Sequence, residues 1–351
     1  MNARRNQEEG ERVIRIGVIS AYPGEDWHAQ RIAAAAARRG EVRLLSPLDF
    51  AAEVVTGAPR IRVQGEPAEH YDLFLTPRAI GDAGDAELQL ALYQTLAESG
   101  ALLVNDVDAL STAIDKFRSS WLFARANLAS PAVRIAQRWE DARRALAALG
   151  QVVVKPLYGS LGIGVERVSA GEEPKLAALF AEHGALYLQA YVAPRLDVRA
   201  FVVGGRVEAA VARRPRPGEF RANIHQGARA EPIAIDADAS RLAISATSAC
   251  GLDYSGVDLL LTDDGPLVLE VNGTPAFRNI NAATHRDMAE AIVAHAVLRA
   301  KERADGRSAQ GRREGRDDRQ GGGAEGWRPR RTARRRDHPG SLRSRVLRGD
   351  R

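Results

Sequence analysis

Three side chains in the C-terminal half of the chain, Asp258, Glu270 and Asn272, have the types and spacing of a cation site. They fall in two apolar runs, residues 256–261 and 267–272, separated by Asp263-Asp264-Gly265. That turn places glycine where a three-residue hairpin loop needs positive φ. If residue 262 pairs with 266, Asp258 stands opposite Glu270, and Asn272 follows two residues later on the same face. Two carboxylates and an amide oxygen on one sheet face repel one another unless a cation lies among them. Hard oxygen donors of this kind suit Mg²⁺ or Mn²⁺ carrying substrate phosphates.

A second set of residues suits the phosphates themselves. Val152-Val153-Val154-Lys155 reads as a buried strand ending in an ammonium, followed by a turn holding Gly159, Ser160, Gly162 and Gly164. Glycines there let backbone N–H groups approach an anion closely. The turn leads to another strand and lacks G-x-x-x-x-G-K-[ST], so it is not a Walker A loop. Lys116 follows Asp115, a pairing that by itself reads as a solvated charge pair. Asp197 and Arg199 flank Val198 and so share one face of a strand. Arg213, Arg214, Arg221 and Asn223 gather around the segment 215–218. Together these cations meet the electrostatic requirement of phosphoryl transfer.

The elements that must position these groups alternate at first between strand and helix. Residues 13–20, 41–45, 71–76 and 101–105 read as strands, with helices over 27–39 and 86–99, which argues a small parallel α/β domain. Ser111 reads as the N-cap of a helix running to Asn127, with Phe117, Trp121, Ala124 and Leu128 at core spacing. A helix over 141–149, strands at 152–155 and 164–168, and a helix over 174–183 follow. Strands at 186–191, 198–203 and 207–213, a helix over 240–250, the hairpin and a last helix over 288–303 make this second part α+β with antiparallel strands.

The chain has 351 residues and a formal charge of +5. Residues 301–351 carry 17 Lys/Arg against 8 Asp/Glu, while the rest carries 33 against 37, so the body is mildly acidic and the basic character belongs to the tail. Arg/Gly-rich tails bind RNA by charge, which keeps a nucleic-acid binder as a competing class; weak binding by the tail is the most that this composition supports. With Trp327 its only aromatic residue, the tail is expected to be disordered. Cys250 is the only cysteine, so no intrachain disulfide forms and a small buried apolar role is expected for it. No apolar stretch of about 18 residues occurs, so no membrane span is expected, and the polar start offers no secretory signal. The expected location is cytoplasmic.

Taken in order, Asp115-Lys-Phe-Arg-Ser119, Val153-Val-Lys155 with Gly159-Ser-Leu-Gly-Ile-Gly-Val165, Gln189-Ala-Tyr-Val192, Asp197-Val-Arg199, Gly218-Glu-Phe-Arg-Ala-Asn-Ile-His-Gln-Gly227, Gly256-Val-Asp258 and Leu269-Glu-Val-Asn272 resemble the ATP-grasp superfamily. Within it they resemble the RimK-like α-L-glutamate ligases, and Pro77-Arg78 looks like the N-terminal domain of that family. The resemblance implies an ATP-grasp fold: an N-terminal parallel α/β pre-ATP-grasp domain (1–105), a central lid subdomain (106–190), a C-terminal antiparallel-sheet subdomain holding metal and ATP (191–300), and the tail (301–351). It implies that Lys116, Lys155 and the turn Gly159, Ser160, Gly162 and Gly164 contact ATP phosphates. Gln189, Ala190, Tyr191 and Val192 would form the hinge that holds adenine by backbone groups. Asp197, Arg221, Ala222 and Asn223 would lie beside the nucleotide. Asp258, Glu270 and Asn272 would ligate two Mg²⁺ or Mn²⁺ ions, and Arg199 and Arg213 would steady the acyl-phosphate and tetrahedral intermediate. The implied reaction joins L-glutamate to a carboxylate acceptor, with a pterin-type cofactor preferred over a ribosomal protein C-terminus, in a protein of a family that is often oligomeric. The chain departs from the family pattern at Ala190, where glutamate is common, at Ala222, where serine is usual, and at Gly273-Thr-Pro-Ala-Phe277, where Ala-Ser-Pro-Gly is frequent.

Overall fold

A computed structural model of the chain describes residues 13–82, 84–157, 164–214 and 229–317. Buried apolar runs form the first sheet: β1 (Arg15–Ser20), β2 (Glu41–Leu45), and, after a small antiparallel sheet of β3 (Phe50–Glu53), β4 (Arg60–Val63) and β5 (Glu66–Pro67), strands β6 (Leu73–Arg78) and β7 (Leu103–Val104). The order β2-β1-β6-β7 is parallel throughout. Helices α1 (Trp27–Ala36) and α2 (Ala86–Glu98) are N-capped by Asp26 and Asp85, whose carboxylates accept from the first free backbone N–H groups. Ile19, Leu45, Phe50, Phe74, Tyr93 and Leu103 build the core of this part. The small sheet over residues 50–67 has no counterpart in the sequence reading, because its strands are short and carry Arg and Glu.

The expected single helix from Ser111 to Asn127 is two helices. Asp106 caps α3 (Val107–Ile114), and Asp115 ends it and caps α4 (Lys116–Arg125). Ser111 lies inside α3, its hydroxyl donating to the Val107 carbonyl. An aspartate at extended φ/ψ with two N–H groups to accept from is a stronger helix start than a serine already in the ladder. The restart also turns the face of α4: Ser119 and Phe123 are buried, whereas Phe117 and Trp121, expected in the core, are 40% and 58% exposed.

A second antiparallel sheet has the order β10-β9-β11-β8, built from β8 (Val133–Ala136), β9 (Gln151–Lys155), β10 (Glu166–Ser169) and β11 (Leu186–Ala190). Helices α5 (Trp139–Leu149) and α6 (Glu173–His183) supply Ala142, Leu146 and Leu176 to its core. The third sheet, β14-β13-β12-β15-β16, contains β12 (Leu196–Val203), β13 (Arg206–Arg214), β14 (Arg229–Pro232), β15 (Tyr254–Thr262) and β16 (Gly265–Asn272). Helix α7 (Ala237–Ala249) packs on it through Ala239, Leu242, Ala243 and Ala246, and Cys250 joins the same core. Burial pushes the Cys250 thiol up to about 12, which suits the inert role expected of it. Two helices follow, α8 (Arg278–Thr284) and α9 (Met288–Asp317).

Residues 301–317, expected to be structureless, continue α9. A helix satisfies its backbone locally and needs no core of its own once a first segment is nucleated. Met288, Ala289, Ile292 and Val293 are buried at its start, and Ala, Arg, Glu and Gln then propagate it. The rest of the basic tail lies outside the described residues. No helix among the described residues is long and apolar enough to cross a membrane.

Candidate active site

The hairpin sets Asp258 opposite Glu270, but through two deviations that cancel. The loop is tighter than expected: Thr262 pairs with Gly265, and Gly265 takes φ +113°. A bulge between Asp258 and Leu259 then inserts one residue, Leu269, on β16 and restores the expected opposition. Gly256 faces Asn272, and its lack of a side chain is required: a Cβ there would lie 2.9 Å from Pro275 Cβ and 3.5 Å from Arg199 Cδ.

Two guanidinium groups pair with the carboxylates of Asp258 and Asp197. Register places Arg199 of β12 opposite Asp258, and Arg213 of β13 opposite Asp197. Arg199 donates from Nε and Nη2 to the two Asp258 oxygens at 2.6 and 2.8 Å, a bidentate fork. Arg213 donates to Asp258 Oδ2 at 3.0 Å and from Nε to Asp197 Oδ1 at 2.6 Å. Burial alone would raise the Asp258 carboxyl, yet Arg199 and Arg213 hold it well below the usual carboxylate range. Asp197 shifts the other way: its burial outweighs the opposing pull of Arg213 and the carboxyl is raised. Arg213–Asp197 and Arg199–Asp258–Glu270 thus occupy adjacent cross-strand rows over β13, β12, β15 and β16, linked by the Arg213–Asp258 bond.

Lys155 ends β9 and Lys116 opens α4, and both line the cavity together with Glu270 and Asp258. Burial lowers the pKa of each, with Glu270 opposing as the largest favourable charge; for Lys155, Lys116 lowers it further. Lys116 is set by a relay that the sequence reading missed. Ser120 Oγ donates to the Lys116 carbonyl at 2.7 Å and meets the buried Tyr187 hydroxyl at 2.9 Å, and Gln189 Nε2 reaches the same hydroxyl at 3.4 Å. The signal available was a serine one turn after the lysine and a tyrosine two residues before the hinge.

The hinge residues Gln189, Ala190, Tyr191 and Val192 border the cavity. Ala190 N–H donates to Ala132 and Tyr191 N–H to Gln151, so those two donors already hold the sheet together. Among the described residues, Val192 N–H has no such backbone partner. The cavity, about 860 Å³, falls within the range of small-molecule sites. Its lining also takes in Asp26, His28 and Arg78 from the first sheet's side, and Thr274 to Phe277 after the hairpin.

Asn105 is a second residue without a sequence signal. Fully buried after β7, it donates to the Tyr254 and Gly273 carbonyls at 2.9 and 2.8 Å and accepts from Asp253 and Tyr254 N–H at 2.7 and 3.0 Å. It ties the start of β15 to the residue after Asn272.

The oxygen set Asp258, Glu270 and Asn272 fits a hard divalent cation. Asp258 Oδ1 accepts one bond, from Arg199, and keeps a lone pair, and Asn272 Oδ1 accepts one, from Thr274 N–H at 2.9 Å. Among the described residues no group of three or more His, Cys, Asp or Glu could hold a metal ion. Gly164, φ +69°, borders the turn after Lys155; Gly159, Ser160, Gly162, Arg221, Ala222 and Asn223 lie outside the described residues.

Residues 113–296 match the model of the RimK-like ATP-grasp domain. A protein of Pseudoalteromonas atlantica named "Probable alpha-L-glutamate ligase 1" is 36% identical over 266 residues, 74% of this chain and 87% of that one. A "Probable alpha-L-glutamate ligase" of Legionella pneumophila is 32% identical over 295 residues, 82% of this chain and 97% of that one. Among solved structures, the ATP-grasp ligase PsnB complexed with minimal precursor superposes with a TM-score of 0.67 at 21% identity, covering 82% of this chain and 99% of that one. A RimK domain protein from Sphaerobacter thermophilus gives 0.60 at 21% identity, over 80% and 98%. These structures share the ATP-grasp fold with the chain.

Proposed function

We propose that this chain, which belongs to the RimK-like ATP-grasp ligase family, joins the amine of L-glutamate to an acceptor carboxylate at the expense of ATP. The carrying observation is the placement of two desolvated lysines in one cavity with the carboxylate–guanidinium cluster. A desolvated ammonium gains most from a phosphate oxygen, because the charge it cannot hydrate is then paired. Lys116 and Lys155 would withdraw charge from the transferring phosphoryl group. The acceptor carboxylate would take that group, giving an acyl-phosphate and ADP; the glutamate amine would then displace phosphate to form the amide.

Asp258, Glu270 and Asn272 would hold Mg²⁺, or Mn²⁺, one or two ions. A PsnB structure carrying Mg and ADP supports the magnesium reading for the fold. Such an ion supplies Lewis-acid neutralisation of the phosphates. Arg199 and Arg213, locked by carboxylates on the sheet, would present fixed positive charge to the developing oxyanion without reorganising. The adenine edge would meet the hinge at Val192 N–H and neighbouring carbonyls.

The two relatives described above carry the glutamate ligase name, which supports glutamate as the amine. For the acceptor, nothing in the cavity singles out the pterin-type cofactor expected from the sequence, and the PsnB complexes with precursor favour testing a peptide beside it. The test is to incubate the full chain with Mg-ATP, labelled glutamate, and either glutamyl peptides or glutamylated cofactors. Label entering an acceptor with equal release of ADP is the expected result. ADP release without any amide product would overturn the reading.

A further inference from the structure

One side of the cavity carries groups that phosphate chemistry does not use. Tyr254, at the start of β15, is 2% exposed and lines the cavity, yet among the described residues its hydroxyl has no hydrogen-bond partner. Both backbone groups of Tyr254 are held by Asn105. Burying an unsatisfied hydroxyl costs stability, and one kept in the lining of a cavity suits a hydrogen bond to a ligand.

Asp26, 8% exposed, lines the same side. Its Oδ1 accepts from the His28 and Ala29 N–H groups, while among the described residues Oδ2 accepts only from Ser20 Oγ, at 2.9 Å, and so keeps a lone pair. Arg78, at the end of β6, also borders the cavity, with its guanidinium stacked 4.6 Å from the Tyr22 ring centroid. The Tyr22 hydroxyl is bonded to Asp82, and among the described residues Arg78 itself forms no ion pair. Charges here act on one another: Asp26 on Tyr254 and His28, Arg78 and Arg278 on His28.

We propose that Asp26, Arg78 and Tyr254 form the subsite for the free amino-acid substrate, Asp26 taking its ammonium and Arg78 with the Tyr254 hydroxyl taking a carboxylate. An acceptor bound through a carboxylate alone has no use for Asp26; a zwitterion matches both signs. The assignment rests on the ligase reading, and it makes this side of the cavity the origin of the amine.

Three conservative variants isolate the roles. Asp26→Asn removes charge but keeps the helix cap, since asparagine caps as well as aspartate. Tyr254→Phe removes a hydroxyl that bonds to nothing in the protein, so its melting temperature should hold or rise. Arg78→Lys keeps the charge and loses the fork. Calorimetric titration of the full chain with Mg-ADP present uses L-glutamate and N-acetyl-L-glutamate, which lacks the ammonium. The native protein should bind glutamate at least about tenfold more tightly than the acetylated compound, and Asp26→Asn should erase most of that preference. Tyr254→Phe and Arg78→Lys should each weaken glutamate about tenfold and leave ADP binding unchanged. Native affinity for glutamate in Tyr254→Phe would mean that the hydroxyl meets only a buried water, and would overturn the assignment. Equal binding of both compounds by the native protein would also overturn it, by assigning the side to an acceptor carboxylate. Binding that follows the expected pattern in a protein that ligates nothing would keep the subsite and defeat the ligase reading instead.

Discussion

The two charged walls of the cavity solve opposite electrostatic problems. On the sheet wall, Asp197, Arg199, Arg213 and Asp258 neutralise one another through short hydrogen bonds fixed by strand register. On the facing wall, Lys116 and Lys155 are desolvated, and the carboxylates that act on them offset that cost only in part. The first wall is complete before any ligand arrives and provides a rigid template. Burial disfavours the charged form of the second pair, a cost that a bound anion would offset. Removing a group from the first should therefore damage folding, and removing one from the second should damage binding and catalysis alone.

Asp258→Ala carries the largest expected effect. It strands two buried guanidiniums, so unfolding by denaturant should show a loss of about 3–5 kcal/mol together with loss of ligase activity. Lys155→Ala should lower kcat by about 10²–10³-fold with no loss of stability, because a desolvated charge is removed. If both variants lost stability equally, the contrast between the walls would fail. Asn105→Ala leaves buried N–H and carbonyl groups at Asp253, Tyr254 and Gly273 unpaired, and should cost about 1–3 kcal/mol by the same denaturation measurement.

Protonation gives a finer test. The pKa of Lys155 lies below its ordinary 10.5, so at a pH between the two values part of the free protein holds a neutral amine. Phosphate oxygens favour the charged form, so nucleotide binding in that window should take up protons, and affinity should fall as pH rises. Titration calorimetry in buffers of different ionisation enthalpy reads this directly, and Lys155→Ala should abolish its share. The smallest effect belongs to exposed Phe117 and Trp121: replacement of either by serine should change stability within about 0.5 kcal/mol.

Much of the site was legible because cross-strand geometry has period two. The opposition of Asp258 and Glu270 follows from parity, and parity survived a tighter loop only because a bulge at Leu269 restored it. The pairing of Asp258 with Arg199 and Arg213 was not legible, since it comes from β12 and β13 through pairings that a local pattern does not encode. The break at Asp115 was missed because the apolar spacing of α3 and α4 runs on across it, and a cap is a matter of φ/ψ as much as of residue type. Asn105 and Tyr254 carry no motif at all. Their importance lies in hydrogen bonds made, or left unmade, between segments about 150 residues apart, which Asn105 makes to Tyr254 at |i−j| = 149.

The most direct test of the central claim is a mass measurement on the acceptor. The full chain, Mg-ATP and L-glutamate are supplied with glutamyl peptides or cofactors, and acceptor mass is followed alongside ADP. Glutamyl additions matched one for one by ADP, and absent in Lys155→Ala, are the predicted result. ATP turnover that leaves every acceptor unchanged, or additions undiminished in that variant, would contradict the account.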